Sequence, residues 1–278
     1  MVLAFCNAVQ IHMKYKLLAV DIDGTLINNK REVTPKTKEY IKKAIDHGIV
    51  FTISSGRPIQ GVKLITDQLD IDIPVITYNG AMVITADGKN IIYSCNMKEE
   101  DVIKIDRFGK ELDTTIAIWS GNKLYTNHID EKAIRYSQVS GTKPQLYNDV
   151  RELIGQGINK MLWYDEIERI NAFEKEMQNK LGASVNFHTS QPIYLEFVDI
   201  NASKAIALEK MGEYYGIKRE EMIAVGDGFN DLSMIEYAGL GVAMDNAPDG
   251  VKRASDFVTL SNEDDGVAYV IEKFIFDN

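Results

Sequence analysis

The chain has 278 residues, a net charge of -10 and a hydrophobic content of 45%. That length and apolar content suffice for one large hydrophobic core or two smaller ones. The negative charge argues against nucleic acid as a partner, because phosphate backbones require a basic protein face, but local cations can still bind a small anionic substrate. Cys6 and Cys95 are too far apart to indicate a disulfide framework, and they suit a reducing cytoplasm.

The beginning of the chain is predicted to be a non-structural extension over residues 1–12. Its apolar segment Met1–Cys6 lacks the basic region and the cleavage site of a signal peptide, and Met13 is an alternative start. No apolar stretch of the sequence reaches membrane-spanning length, so a membrane is not an expected partner. The sequence leaves the oligomeric state open.

Two carboxylates stand where the first predicted strand ends. The apolar run Leu17–Val20 predicts a buried strand, and it is followed by Asp21-Ile-Asp-Gly-Thr25. Open α/β folds place their chemistry at the carboxyl ends of strands, and alternation along the strand end would direct Asp21 and Asp23 to one side. Two such charges require a cation or a shared proton, unless the segment is only a turn closed by aspartate and glycine.

A second acidic turn, Gly226–Asp231, follows the apolar run Met222–Val225. If the two strands are neighbours, four carboxylates converge and their repulsion requires a divalent cation. These carboxylates belong to Asp21, Asp23, Asp227 and Asp231. Few carboxylates with open coordination positions suit Mg²⁺, whereas zinc is disfavoured because the histidines and cysteines show no ligand spacing. The alternative for Asp231 is an acid that only favours the start of a helix.

Two further segments carry groups that bind anions. The apolar run over 49–53 ends in Ser54–Pro58, a turn that presents a hydroxyl and backbone N–H groups, although such turns are also common without a ligand. Ser203 is predicted to cap a helix that ends at Gly216, which places Lys204 in the first turn, against the helix dipole. An anion in front of Lys204 would remove that conflict, and a solvated lysine is the alternative.

Strands and helices alternate over the first part of the chain. A helix begins at Thr34 and Pro35 and ends at Gly48, and strands over 49–53 and 74–77 flank a helix that follows Pro58. This alternation predicts an α/β fold with a doubly wound, Rossmann-like parallel sheet.

The alternation breaks over residues 83–191, which we predict to form an inserted α+β domain. Hairpins are predicted around Asp87-Gly88 and Gly121-Asn122, helices near 98–112 and 166–180, and further strands at 160–164 and 185–188. The core then comprises residues 13–82 and 192–278. The strand Tyr194–Val198 is predicted to lead back into the parallel sheet.

Taken in chain order, the four polar segments resemble the four motifs of the haloacid dehalogenase (HAD) superfamily, in its Cof-type branch of phosphatases. Tyr78–Ala81 and the stretch Met234–Ala247 are further signs, and the latter is similar to the YidA-type sugar phosphatases of bacteria. Two positions depart from the pattern, because Ser55 stands where threonine is usual and Asp245 where many members have glycine. The resemblance implies a HAD-like core with a cap of the C2B type, and a Mg²⁺-dependent phosphatase of small phosphorylated metabolites such as sugar phosphates.

The resemblance also implies a role for each motif residue. Asp21 would attack phosphorus and form an aspartyl-phosphate that water hydrolyses, while Asp23 would protonate the leaving alcohol and then activate the water. Asp21, Asp227 and the backbone carbonyl of Asp23 would hold the metal, and Asp231 would steer a water bound to it. The groups that would bind the phosphoryl oxygens are the amide of Ile22, Ser55 with the amide of Gly56, Lys204 and Asn230.

The inserted domain would act as a lid that excludes water and selects the leaving group. Aromatic side chains and a histidine in it or directly after it are candidates to contact a sugar, although aromatics at strand positions more often belong to a core. These candidates are Tyr125, His128, Trp163 and Tyr194. Two other functions stay open: a phosphotransferase or mutase that uses the same Asp21, and a phospho-ligand sensor without catalysis. All four acids are present, which disfavours the sensor.

Overall fold

A computed structural model describes residues 14–85 and 87–277, so the predictions for residues 1–12 and for Met13 lie outside the described residues. The strands are β1 (Leu17–Val20), β2 (Val50–Ser54), β3 (Val75–Thr77), β4 (Met82–Ile84), β5 (Ile91–Ser94), β6 (Thr115–Ser120), β7 (Lys123–Thr126), β8 (Gln145–Leu146), β9 (Ile158–Tyr164), β10 (Val185–Gln191), β11 (Tyr194–Asp199), β12 (Met222–Gly226), β13 (Leu240–Ala243) and β14 (Phe257–Val258). The α-helices are α1 (Pro35–Asp46), α2 (Ile59–Leu69), α3 (Glu99–Glu111), α4 (Glu131–Ser140), α5 (Arg151–Ile154), α6 (Ile167–Lys180), α7 (Lys204–Tyr215), α8 (Leu232–Tyr237), α9 (Asp249–Ala254) and α10 (Gly266–Ile271).

The core is an eight-stranded sheet in the order β14-β13-β12-β1-β2-β3-β4-β5. Its strands run parallel from β14 to β3, and β4 and β5 add an antiparallel edge. Strand β1 is central and pairs with β12 on one side and with β2 on the other. The three strands that precede polar motifs are therefore direct neighbours, and their carboxyl ends meet at one edge of the sheet. The predicted α/β fold is confirmed.

Local signals set the ends of two core helices as predicted. The Thr34 hydroxyl caps α1 by accepting from the amide of Thr37 at 3.1 Å. Ser203 caps α7 in the same way and accepts from the amide of Ile206 at 3.1 Å. Gly216 ends α7 at a φ of +67°, in the left-handed region that glycine adopts without steric cost. The cap at Ser203 fixes where α7 begins, and so it fixes the position of Lys204.

A second sheet, in the order β10-β11-β9-β6-β7-β8, forms the cap. One of its faces packs on α3 and α6 through a cluster that includes Ile116, Trp163 and Phe197. Its other face, with Trp119 and Leu162, joins the same hydrophobic cluster as residues of the core. The cap sheet thus carries α3 and α6 on one face, and its other face carries α4, where Trp119 donates to the Tyr136 hydroxyl at 2.9 Å, and lies against the core.

Sheet membership corrects one prediction. Tyr194–Val198 does not return to the parallel sheet, because β11 pairs antiparallel with β10 and β9 inside the cap sheet. The two-residue connection between β10 and β11 favours a hairpin, and only the pairing of distant strands decides which sheet the hairpin joins. The hairpin of β4 and β5 belongs to the core sheet instead. We therefore propose that the cap begins at about residue 95 and ends at about residue 199.

The two chain segments that connect core and cap lie side by side. The Cys95 thiol donates to Asp199 Oδ1 at 3.5 Å, and the amide and side chain of Asn201 donate to the same oxygen, each at 2.9 Å. Asn159 of the cap donates to the carbonyl of Cys95 at 3.2 Å. These contacts join the outgoing and returning connections into one polar cluster.

Across the described residues, none of the helices combines the length and the apolar content that a membrane crossing requires.

Candidate active site

Lys204 is the cation that joins the polar motifs at the carboxyl edge of the core sheet. Its side chain is completely buried, and its ammonium donates to Asp21 Oδ1 at 2.6 Å, to Asp231 Oδ1 at 2.5 Å and to the carbonyl of Ser54 at 2.9 Å. A lysine ammonium has three protons, so these three acceptors satisfy it. The anion expected in front of Lys204 is therefore a pair of aspartates of this chain.

Asp227 and Asp231 complete an acidic cluster with Asp21. Asp231 Oδ2 accepts from the amides of Asp227 and Gly228 at 3.1 and 2.9 Å, and the Thr25 hydroxyl donates to Asp227 Oδ1 at 2.9 Å. One carboxylate oxygen from each aspartate lies within 4.8 Å of the others. Three carboxylates and no nitrogen or sulfur ligand form an oxygen donor set that fits a hard divalent cation such as Mg²⁺.

The electrostatics of the cluster favour a bound cation. Burial raises the pKa of Asp21 to about 8, and the charges of Asp231 and Asp227 add to this increase while Lys204 opposes it. Burial also raises the pKa of Asp227 to about 6. Burial alone would lower the pKa of Lys204, but Asp21 and Asp231 outweigh it and hold the ammonium charged. A single lysine thus does not balance the three acids, which leaves room for a second positive charge.

We expect Mg²⁺ to bind more tightly as the pH rises from 6 to 8. Below a pKa of about 8 for Asp21 and about 6 for Asp227, the cation must displace protons from these carboxyls, so the affinity should fall about tenfold for each pH unit between 8 and 6. Calorimetric titration of the metal-free protein in two buffers of different ionisation enthalpy measures both the affinity and the protons released. A pH-independent affinity with no proton release would contradict this expectation.

The side chain of Asp23 does not join the cluster, contrary to the predicted convergence of four carboxylates. It is 60% exposed and accepts two hydrogen bonds from Arg57, from Nε at 2.9 Å and from Nη2 at 2.5 Å. The prediction required the alternation of side chains along an extended strand to continue as far as Asp23. The strand ends at Val20, and the chain turns between Asp21 and Gly24. A guanidinium from the neighbouring strand end then determines where the carboxylate of Asp23 points.

Gly24 is required by the close approach of two motifs. Its φ is +80°, and a Cβ at this position would lie 2.3 Å from Asp227 Oδ2. We expect Gly24→Ala to displace the Asp227 carboxylate and to weaken Mg²⁺ binding at least about tenfold, in addition to a backbone strain of about 1–2 kcal/mol. Calorimetric titration with Mg²⁺ and thermal unfolding measure the two effects.

Gly216→Ala is the matched control, because Gly216 also has a positive φ, of +67°, but a Cβ there meets nothing within 4 Å. It should lower the free energy of unfolding by a similar strain and leave Mg²⁺ affinity unchanged. Equal Mg²⁺ affinities of the two variants would show that Gly24 has no role beyond its backbone conformation.

The predicted phosphate-binding residues surround the same edge. Ser55 directly follows β2 and is buried, and its hydroxyl accepts from the amide of Arg57 at 3.2 Å. Gly56 is half-buried beside it, Ile22 is buried between the two aspartates of the first motif, and Asn230 is exposed next to Asp231.

A tight turn at the end of β3 packs against this loop. Tyr78 and Asn79 both have left-handed backbone conformations, with φ of 54° and 56°, and the amide of Asn79 donates to the carbonyl of Ser55 at 3.1 Å. A Cβ at Gly80 would lie 2.1 Å from the carbonyl of Ser203, so the turn contacts the start of α7. The Tyr78–Gly80 turn therefore supports both the Ser55 loop and the helix that carries Lys204.

Sequence reasoning missed several residues that the structure places at the site. Arg57 and Thr25 lie inside recognised motifs, but no role was predicted for either. Lys160 of the cap lies over Gly56 and pairs with Glu196, and neither residue was predicted, although a charge with apolar neighbours inside a strand was a signal that could have found them. Two of the aromatic candidates, Tyr125 and Trp163, belong to the helix-packed side of the cap, whereas Tyr194 faces the core.

Comparison with known proteins agrees with this geometry. The model of the haloacid dehalogenase-like hydrolase family matches residues 18–271. The chain is 30% identical to the 5-amino-6-(5-phospho-D-ribitylamino)uracil phosphatase YitU of Bacillus subtilis, over 93% of this chain and 97% of that protein.

Two solved structures show the same architecture. A haloacid dehalogenase-like hydrolase from Bacteroides thetaiotaomicron has a TM-score of 0.84 and 33% identity, with 94% of this chain and 99% of that chain covered. The HAD subclass IIB sugar phosphatase BT4131 has a TM-score of 0.78 and 25% identity, with 93% and 98% covered. The match over nearly the whole chain, together with the acidic site at the carboxyl edge of the sheet, confirms the resemblance found in the motifs. The chain therefore belongs to the family of haloacid dehalogenase-like hydrolases and is a phosphoric monoester hydrolase.

Proposed function

We propose that this protein is a Mg²⁺-dependent phosphatase of small phosphorylated metabolites, with sugar phosphates as the substrate class, and that it acts through an aspartyl-phosphate on Asp21. The observation that carries the proposal is the position of Asp21. It is buried at the end of the central strand, bound by Lys204 and clustered with Asp227 and Asp231. An acid in this environment is oriented for attack and is shielded from bulk water.

Asp21 is the nucleophile in this proposal. One of its oxygens is fixed by Lys204, which leaves the other free to form the bond to phosphorus while the bond to the leaving alcohol breaks. Water then attacks the aspartyl-phosphate, releasing inorganic phosphate and restoring the carboxylate. Mg²⁺ held by Asp21, the carbonyl of Asp23, Asp227 and Asp231 would supply charge neutralisation for the phosphoryl oxygens.

Asp23 is the general acid and base. Its exposed carboxylate is paired with Arg57 beside the site, and in this proposal it leaves that ion pair to reach the leaving oxygen. Asp23 protonates the leaving alcohol and then accepts a proton from the attacking water, because one carboxyl can alternate between the two forms in successive half-reactions.

The phosphoryl group is held by groups around the Ser55 loop. The amides of Ile22 and Gly56, the hydroxyl of Ser55 and the amide side chain of Asn230 donate to its oxygens, and Lys204 supplies positive charge from below. Positioning and charge neutralisation of this kind account for most of the rate enhancement in phosphoryl transfer.

Relatives support an alcohol with several hydroxyl groups as the leaving group. YitU is named for a ribityl phosphate and BT4131 for sugar phosphates, and both kinds of ester carry neighbouring hydroxyls. A cap that lies against the core, as in this structure, can contact such a group while it excludes water.

The test is release of inorganic phosphate from a panel of sugar phosphates, with Mg²⁺ or with EDTA. Release that requires Mg²⁺ supports the phosphatase, and trapping of a phosphorylated protein that is absent from the Asp21→Asn variant supports the aspartyl-phosphate. Transfer of the phosphoryl group to an added sugar would instead show a phosphotransferase. Binding without turnover of any ester would show a phospho-ligand sensor.

A further inference from the structure

A charged pair lies on the cap face that covers the catalytic core. Lys160 on β9 and Glu196 on β11 form an ion pair at 2.5 Å, and their side chains are only 4% and 8% exposed. His188 on β10 is the direct cross-strand partner of Glu196 and is half-buried. The other residues on this face are mainly aromatic or apolar, so the charged pair is surrounded by apolar side chains between the two domains.

Lys160 contacts the core at Gly56, beside Ser55, and Glu196 contacts the adjacent Tyr78–Gly80 turn. The ammonium of Lys160 donates to the carbonyl of Gly56 at 3.3 Å. Asn79 of the strained turn donates through Nδ2 to Glu196 Oε2 at 3.4 Å. Because Gly56 immediately follows Ser55, the pair stands beside the position of the phosphoryl group, on the side from which the cap covers it.

Stability does not explain this pair well. Burying two charges costs several kcal/mol of desolvation per ion, and apolar residues in such a place are often as stable or more so. The contacts across the domain boundary are long, and Asn79 Oδ1 is buried without a hydrogen-bond partner among the described residues. Asn79 Oδ1 can therefore accept a hydrogen bond that none of the described residues donates.

We propose, on the basis of the function proposed above, that Lys160 and Glu196 are specificity-determining residues that bind neighbouring hydroxyl groups of the leaving alcohol. A carboxylate accepts hydrogen bonds from hydroxyls and an ammonium donates to their oxygens, so the two together match a vicinal diol. Substrates are then phosphate esters of sugars or of alditols, which share this diol, rather than esters of aryl alcohols.

His188 and Asn79 extend the same polar surface. Burial lowers the pKa of His188, so its imidazole is neutral at neutral pH and offers one donor and one acceptor. Asn79 offers from the core side the acceptor Oδ1, which has no partner among the described residues and lies beside Gly56. A leaving group with several hydroxyls would thus find partners on both domains, which favours closure of the cap only over such substrates.

The test compares substrates with and without hydroxyls on the leaving group. We expect Glu196→Gln and Lys160→Met to lower kcat/KM for glucose 6-phosphate and ribitol 5-phosphate about 10–100-fold, as for loss of a charged hydrogen bond, and to change kcat/KM for p-nitrophenyl phosphate less than about threefold. The ratio between the glucose and ribitol esters distinguishes the two sources of the diol.

Lys132→Met is the matched control, because Lys132 pairs with Asp165 at 2.5 Å wholly within the cap. This variant should not lower kcat/KM for either kind of ester.

The double variant Lys160→Met/Glu196→Leu separates binding from folding, because it leaves no unpaired buried charge. If it unfolds at the temperature of the wild type and still discriminates between the esters as the wild type does, the inference is wrong. Equal losses for all three esters in every variant would also overturn it and would indicate a purely structural pair. Failure of the wild type on all three esters would instead refute the function proposed above, and not the role of this pair alone.

Discussion

Asp21→Asn is expected to reduce phosphate release by at least about 10⁴-fold while the protein stays folded, because the amide cannot form the bond to phosphorus. Asparagine has nearly the same shape and can keep a hydrogen bond from Lys204 to its carbonyl oxygen. Steady-state release of inorganic phosphate and thermal unfolding measure the two properties. Asp245→Asn is the control, since Asp245 is a 66% exposed acid that pairs only with Lys252 among the described residues, and it should keep wild-type turnover.

Asp21→Asn should also change how the free energy of unfolding depends on pH. Because burial raises the pKa of Asp21 to about 8 in the folded protein, above its unfolded value, the folded state binds the proton more tightly. The metal-free wild type should therefore lose unfolding free energy as the pH rises from about 4 to about 8, and Asp21→Asn should lose less over that range. Urea titrations at several pH values in EDTA measure this slope. Wild-type turnover by Asp21→Asn would refute the role of Asp21 as the nucleophile. Identical pH slopes of the two proteins would refute the effect of burial on the pKa of Asp21.

Lys204→Met is expected to lower both stability and activity. The substitution keeps the length of the side chain but leaves the buried carboxylates of Asp21 and Asp231 facing each other without their cation. Breaking a buried ion pair from one side costs about 3–5 kcal/mol of unfolding free energy, and this cost should be larger at pH 8 than at pH 5, because burial raises the pKa of Asp21 and lets it take up a proton at the lower pH. Turnover should fall at least about 100-fold, as for loss of one stabilising donor in an active site.

Lys210→Met is the matched control on the same helix. Lys210 pairs with Glu213 at 2.8 Å on the exposed side of α7, so its loss should change the unfolding free energy by less than about 0.5 kcal/mol and leave turnover unchanged. Added Mg²⁺ should restore part of the stability of Lys204→Met, because a divalent cation replaces the missing charge. Equal stability and turnover of the two lysine variants would show that Lys204 is not the electrostatic centre of the site.

The features that the sequence predicted are those that depend on a short stretch of chain. The strand ends that carry Asp21 and Asp227, the cap at Ser203 and the position of Lys204 all follow from local patterns, and the structure places them at one edge. The assignment of Tyr194–Val198 to the parallel sheet was wrong because an alternating strand carries no information about which of two sheets it will join. Pairing is decided by contacts between segments that are distant in sequence.

The position of the Asp23 side chain could not be predicted for a related reason. Its partner Arg57 lies on another strand end, and the competition between a metal site and a guanidinium for one carboxylate depends on distances that only the fold supplies. Lys160 and Glu196 differ from this case, because each is a charge with apolar neighbours on both sides in a buried strand, and such a charge needs a partner wherever it is buried. That signal was present in the sequence but no site was predicted from it, and the structure shows the partners of both charges.

The contact between Cys95 and Asp199 has a consequence for how the chain is connected. The two ends of the insertion lie next to each other, so about a hundred residues connect neighbouring points of the core, as a short loop would. The entropic cost of closing a loop grows only slowly with its length. We therefore expect that this insertion can change in length without changing the register of β5 or the start of α7.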